Sequence, residues 1–220
     1  AMSTAVIPGV SGSFARKDIR ETNRKIAAAV RTTMLLSIPS AVGLAVLAKP
    51  VVLLLYPQKE SVDMVSQLLA GLSVSVVFYA ISTISNGVLQ GIGKVNLPVI
   101  NAAAALVLQT AALVLLLLFT DLGLHSLVVA TVLYSFLMCI LNGISVKRQL
   151  GYRQEVVNTF CIPIWASVIM GGAAFGVYYG LYHLLPVNVV CLAAALLVAV
   201  LLYFVLVIKM GAVGERDLLS

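Results

Sequence analysis

The sequence predicts an all-α, polytopic transmembrane helical bundle, on three observations. Six apolar stretches, at roughly 32–56, 64–92, 97–119, 124–146, 158–182 and 187–208, fill most of the 220 residues. About 20 apolar residues in a helix cross the hydrocarbon core of a bilayer. The composition is 61% hydrophobic and 10% charged, with a mean hydropathy of +1.09, whereas a soluble domain carries about 25% charged residues. Most of the basic residues behind the net charge of +6 fall in alternate loops, with Lys49 and Lys59 the exceptions, which is a topology signal and not the signature of a nucleic-acid binder.

The chain opens with a short apolar segment, Ala1 to Pro8, too short to span and without a charged leader. Residues 1–12 are therefore expected to be the end of a truncated transmembrane helix, and the chain to be the C-terminal part of a longer protein. Residues 13–31 form a basic segment carrying Arg16, Lys17, Arg20, Arg24, Lys25 and Arg31 against Asp18 and Glu21. Asp18 and Glu21 stand at capping-box spacing, with Asp in place of Ser or Thr. Ile19, Ile26 and Val30 recur at helical intervals. The segment reads first as a topology-setting charge run that extends the next helix, and second as an interfacial helix on anionic headgroups. The first span holds Pro39, with Lys49-Pro50 near its outer end. Proline removes a helix hydrogen bond, so a kinked crossing to about Ala48 and a short outer helix from Val51 to Tyr56 are expected. The carbonyls it frees need partners from other helices or water.

The later loops alternate in charge. Lys59, Glu60 and Asp63 follow the first span, Lys94 the second, Asp121 and His125 the third, and Lys147, Arg148 and Arg153 the fourth. Leu185 to Asn188 carries no charge, and the tail from 209 to 220 holds Lys209, Glu215, Arg216 and Asp217. The positive-inside rule then places the basic loops and the C-terminus in the cytoplasm. Cys139, Cys161 and Cys191 are odd in number, lack metal spacing and read as small lipid- or core-facing residues.

No enzyme signature stands out: there is no HExxH, no glycine-rich phosphate loop and no nucleophile elbow. No catalytic residue, metal site or cofactor is expected. His125 and His183 read as surface or interface residues near span ends. The acidic residues lie in loops or at span ends, whereas proton relays use ionisable groups within the membrane. The polarity inside the spans is neutral. Gln67, Ser73, Ser75, Ser82, Ser85, Asn86 and Gln90 lie in the second, Asn96, Asn101, Gln109 and Thr110 in the third, and Thr131, Ser135 and Asn142 in the fourth. Ser75, Ser82 and Asn86 share a helical face. Such groups fasten helices together more often than they bind substrate. The substrate-cavity candidates are Ser75, Ser82, Asn86, Gln90, Asn101 and Gln109, and the lipid-headgroup candidates are Arg16, Lys17, Arg20, Arg24 and Lys25. Spans five and six, apolar with small residues such as Gly171-Gly172-Ala173-Ala174, read as lipid-facing additions.

The run from Asn86 to Asn101, NGVLQGIGKVNLPVIN, closely resembles a turn of the polysaccharide and lipid-linked oligosaccharide exporters of the MOP superfamily, among them SpoV-B-like proteins of sporulation and MurJ-type lipid II flippases. Ser3 to Ser11 followed by the basic segment, Ile38 to Leu44 and Leu47 to Pro50 resemble further family segments in the same order. The resemblance implies helices nine to fourteen of a fourteen-helix, two-lobe transporter of the bacterial cytoplasmic membrane. Residues 32–147 would be four helices of the C-terminal lobe, 148–208 two additional helices and 209–220 a cytoplasmic tail. The implied activity is export or flipping of a lipid-linked oligosaccharide or peptidoglycan precursor by alternating access. The implied partners are an undecaprenyl-pyrophosphate-type sugar lipid, membrane lipids and the missing N-terminal lobe, with no nucleic acid. The family's cavity arginines lie largely in the first lobe, so none is carried over. Leu106 to Leu113 matches a stretch where some relatives place cation ligands, but holds no acidic residue, which argues against sodium coupling through this lobe. Two other readings compete. A multidrug/cation antiporter of the same superfamily needs an intramembrane acidic residue, and a membrane-embedded glycan transferase or polymerase needs a constellation among Glu60, Asp63, Asp121, His125 and His183.

Overall fold

The computed structural model describes residues 2–56, 61–152, 157–184 and 187–210. Lys59, Glu60, Arg153, Leu185, Pro186 and the tail from 211 to 220 lie outside them. The described residues form α1 (Met2–Ala15), α2 (Ile19–Val46), α3 (Ala48–Leu55), α4 (Val62–Gly91), α5 (Asn96–Phe119), α6 (His125–Leu150), a π-helical turn (Val157–Cys161), α7 (Ile162–Leu184) and α8 (Asn188–Lys209). Among the described residues, six helical stretches are long and apolar enough to cross a membrane: those of α2, α4, α5 and α6, Thr159–Leu184, and α8. The chain is an all-α polytopic bundle, as its hydropathy predicts.

The helix ends follow from local chemistry. Asp18 accepts the Glu21 N–H at 2.9 Å, the expected cap, but the reciprocal bond of a capping box is not made. The Asp18 N–H instead turns back to Ser13 O, closing α1 over Lys17 at φ 58. Glu21 pairs with Arg16 at 3.1 Å and with Lys25 at 2.8 Å. From Ile19 onward the basic segment is continuous with the first span, and Ile26 and Val30 are buried while Ile19 is exposed. Helix α2 continues through Pro39 and breaks at Leu47, three residues before Pro50. The break falls there because Pro50 cannot donate to the Val46 carbonyl, so α3 starts anew with Pro50 in its first turn, where a missing N–H costs least.

The α4–α5 turn is a Schellman closure. Lys94 N–H donates to Leu89 O at 2.9 Å and Gly93 N–H to Gln90 O at 3.0 Å. Gly93 sits at φ 75, a conformation that carries no Cβ penalty for glycine. Gly91 serves a different end: a Cβ there would lie 3.3 Å from Ile7 O and 3.4 Å from Val10 Cγ1, so α1 crosses the end of α4 at close range. The π turn precedes Pro163, which has no N–H for Thr159 O.

The chain divides into two compact units. The first comprises residues 1–34 and 75–155, the second residues 35–74 and 156–220. In the first, α5 and α6 pack as a hairpin. Lys25 Nζ donates to Gly9 O at 3.1 Å and Asn23 Nδ2 to Leu150 O at 3.4 Å. Together with the crossing at Gly91, these contacts bring the basic segment, Lys94, Lys147 and Arg148 to one end of that unit. In the second, one cluster joins Leu47 to Ala166, Met170, Ala174 and Tyr178 of α7 and to Cys191, Leu192, Ala195, Ala199, Tyr203 and Val207 of α8. Each helix presents this face every fourth residue, so small side chains let the two backbones approach. Spans five and six, read from the sequence as lipid-facing additions, thus meet along this buried seam, while Trp165, Val168, Leu197 and Leu201 on them are exposed. Helix α5, grouped with the inner machinery, buries only Pro98 and Ala105.

Candidate functional site: an asparagine-centred network within the spans

The neutral polar residues of α4, α5 and α6 behave in two ways. Hydroxyls mostly bond to their own helix: Ser73 Oγ donates to Ala70 O, Thr131 Oγ1 to Leu127 O and Ser135 Oγ to Val132 O. Such back-bonding satisfies a hydroxyl without a neighbour. The longer asparagine amides bridge helices. Asn142 on α6 is fully buried. Its Nδ2 donates to Ser82 Oγ at 3.1 Å and to Asn86 Oδ1 at 2.7 Å, both on α4. Its Oδ1 accepts from Asn101 Nδ2 of α5 at 2.9 Å, and Asn101 also donates to Ser145 Oγ at 3.0 Å. Ser145 in turn donates to Leu141 O at 2.9 Å. One amide thus uses both donor hydrogens and its acceptor to tie three helices. Phe78 and Phe136 add an edge-to-face contact between α4 and α6, with ring centroids 5.3 Å apart.

Three of the six cavity candidates, Ser82, Asn86 and Asn101, meet in this network. Ser75 is buried on the same α4 face, Gln90 is exposed and Gln109 is half-buried. Asn142 was legible as a polar residue of the fourth span but was not among the candidates, and Ser145 was not singled out. Their three-residue separation, which puts both on one helical face, is the signal that could have paired them. Among the headgroup candidates, Arg16, Lys17, Arg20 and Arg24 are exposed. Lys25 is half-buried between Glu21 and Gly9 O.

Of the residues that a transferase would need, Asp63, Asp121, His125 and His183 are among the described ones. Asp63 pairs with Lys49 at 2.6 Å, and this carboxylate holds the Lys49 pKa above its ordinary value. His125 begins α6 and His183 lies exposed in the last turn of α7. Glu60 lies outside the described residues. Among the described residues there is no group of three His, Cys, Asp or Glu able to hold a metal ion. Cys191 is buried in the α7–α8 seam, Cys139 is half-buried and Cys161 is exposed.

These features define a multi-pass α-helical membrane protein whose first unit is fastened by uncharged polar groups. The chain belongs to the lipid II flippase MurJ family, whose sequence model matches residues 1–185. It is also 26% identical to the protein named lipid II flippase MurJ of Bacillus subtilis (strain 168), over 92% of this chain and 39% of that protein. The chain therefore spans well under half the length of that relative.

Proposed function

We propose that this chain is part of a flippase that carries a lipid-linked oligosaccharide or peptidoglycan precursor, of undecaprenyl-pyrophosphate type, across the bacterial cytoplasmic membrane by alternating access. The observation that carries this reading is the family match over residues 1–185. Six spans, three of which (α4, α5 and α6) carry interhelical neutral polar groups, support it, because a sugar headgroup needs hydrogen-bonding surface that a purely apolar bundle lacks. In this reading residues 32–147 belong to the C-terminal lobe and 148–208 to two additional helices. Residues 1–12 end a preceding helix, and 13–31 and 209–220 lie on the cytoplasmic side. The partner of the lobe is the N-terminal lobe of the same full-length protein, and the transport step itself makes or breaks no covalent bond.

The polar residues then divide by role. Ser82, Asn86 and Asn101, each bonded to Asn142, fasten α4, α5 and α6, and Ser75 continues their face. Gln90 and Gln109 are the groups that face a headgroup pathway. Arg16, Lys17, Arg20 and Arg24 lie against anionic headgroups, each adding about 1 kcal/mol of attraction near the surface. Lys25 holds the α1–α2 junction.

The test is reconstitution of the full-length protein in liposomes with a fluorescent undecaprenyl-pyrophosphate sugar. The expected result is protein-dependent movement of the label between leaflets. No movement under any imposed ion gradient or membrane potential overturns the reading.

A further inference from the structure

Pro39 stands inside an uninterrupted helix. Having no N–H, it leaves without a helical donor the carbonyl four residues back, that of Leu35. In hydrocarbon no water replaces that donor, so the carbonyl must find one in the protein. The partner is the Tyr203 hydroxyl of α8, which donates to Leu35 O at 2.7 Å. Tyr203 is buried, and its ring belongs to the α7–α8 core.

A second fastening repeats the arrangement at the other end. Asn188, the first residue of α8, donates Nδ2 to Pro50 O at 3.0 Å, and its Oδ1 accepts the Tyr178 hydroxyl of α7 at 2.8 Å. From Asn188 to Tyr203 and from Leu35 to Pro50 the chain covers equal numbers of residues, the first within α8 and the second from α2 across the break at Leu47 into α3. The two contacts therefore match in register on partners that run in opposite senses. Between them the apolar seam closes tightly, since a Cβ at Gly171 would lie 2.8 Å from Val42 Cγ1.

We infer that Tyr203 is a positioning residue for transport: its hydroxyl supplies the hydrogen bond that Pro39 removes, and with Asn188 it makes the α7–α8 hairpin a two-point brace on the proline-containing stretch from Leu35 to Pro50. The brace lets α2 keep a proline without fraying in lipid, so the stretch moves as one body with the hairpin. The transport part of the inference rests on the flippase reading, and the structural part does not.

The experiment compares Tyr203→Phe, Pro39→Ala and the double variant in the full-length protein in lipid nanodiscs and proteoliposomes. It reads amide exchange over residues 36–46 and the leaflet transfer of a fluorescent undecaprenyl-pyrophosphate sugar. Tyr203→Phe keeps the ring and removes only the hydroxyl. It is expected to speed exchange about three- to tenfold, the span typical of interhelical hydrogen bonds in membranes, and to slow transfer. Adding Pro39→Ala restores a backbone donor to Leu35 and is expected to return both readouts close to those of Pro39→Ala alone. A Tyr203→Phe protein indistinguishable from the unsubstituted one overturns the inference. So does a double variant as impaired as Tyr203→Phe, because a tyrosine that merely fills space would not be rescued at Pro39. Absence of transfer in the unsubstituted protein defeats the flippase reading alone, and the exchange comparison then decides the brace by itself.

Discussion

Where α4, α5 and α6 meet, side-chain amides and hydroxyls join the helices through Asn142. Where α7 and α8 meet, Ala166, Ala174, Ala195 and Ala199 let the backbones close, and side-chain hydrogen bonds tie Tyr203 to Leu35 O and Asn188 to Pro50 O. Lipid tails are as apolar as leucine, so burial alone drives neither association. The first region gains hydrogen bonds and the second close packing. A polar joint can exchange partners at small cost, which suits helices that rearrange, while a close-packed seam has one good geometry, which suits a brace.

The contrast predicts which substitutions hurt where, with stability read as unfolding of the full-length protein by denaturing detergent. The largest loss is expected from Gly171→Leu, which drives a side chain into Val42 and Val46 and should cost about 3 kcal/mol, the upper part of the overpacking range. Retained stability would show that the seam is loose. Asn142→Leu leaves Ser82, Asn86 and Asn101 short of partners and should cost about 2 kcal/mol, and a neutral result would mean that the polar joint contributes nothing. Gly93→Ala, at the positive φ of the α4–α5 turn, should cost about 1 kcal/mol without touching either interface. Tyr178→Phe removes one donor from Asn188 and should cost about 0.6 kcal/mol. A Tyr178→Phe loss equal to that of Asn142→Leu would erase the distinction between the two regions.

The legible part of this architecture was the part written locally. Apolar run length marked the six spans, the Asn86–Asn101 run marked the turn between α4 and α5, and the Asp18–Glu21 spacing marked the start of α2. The need for a partner at Pro39 was also legible, because it follows from the chemistry of proline. That Tyr203 is the partner was not, since 164 residues of sequence separate them and no local pattern pairs a tyrosine with a distant carbonyl. The seam between α7 and α8 was not legible for a related reason: an alanine and cysteine seam is as apolar as a lipid-facing surface, and only three-dimensional packing separates the two. Within the polar network, Ser82 and Asn86 were visible by their spacing on one face, while Asn142 gains its importance from lying opposite two other helices.

The most direct test of the claim that this amide ties the first unit together is a double-mutant cycle between Asn101 and Asn142, measured on the full-length protein in lipid. The account predicts that Asn101→Ala and Asn142→Ala are non-additive, with a coupling of about 1 kcal/mol, within the range found for interhelical hydrogen bonds in membranes. Additive losses would contradict it.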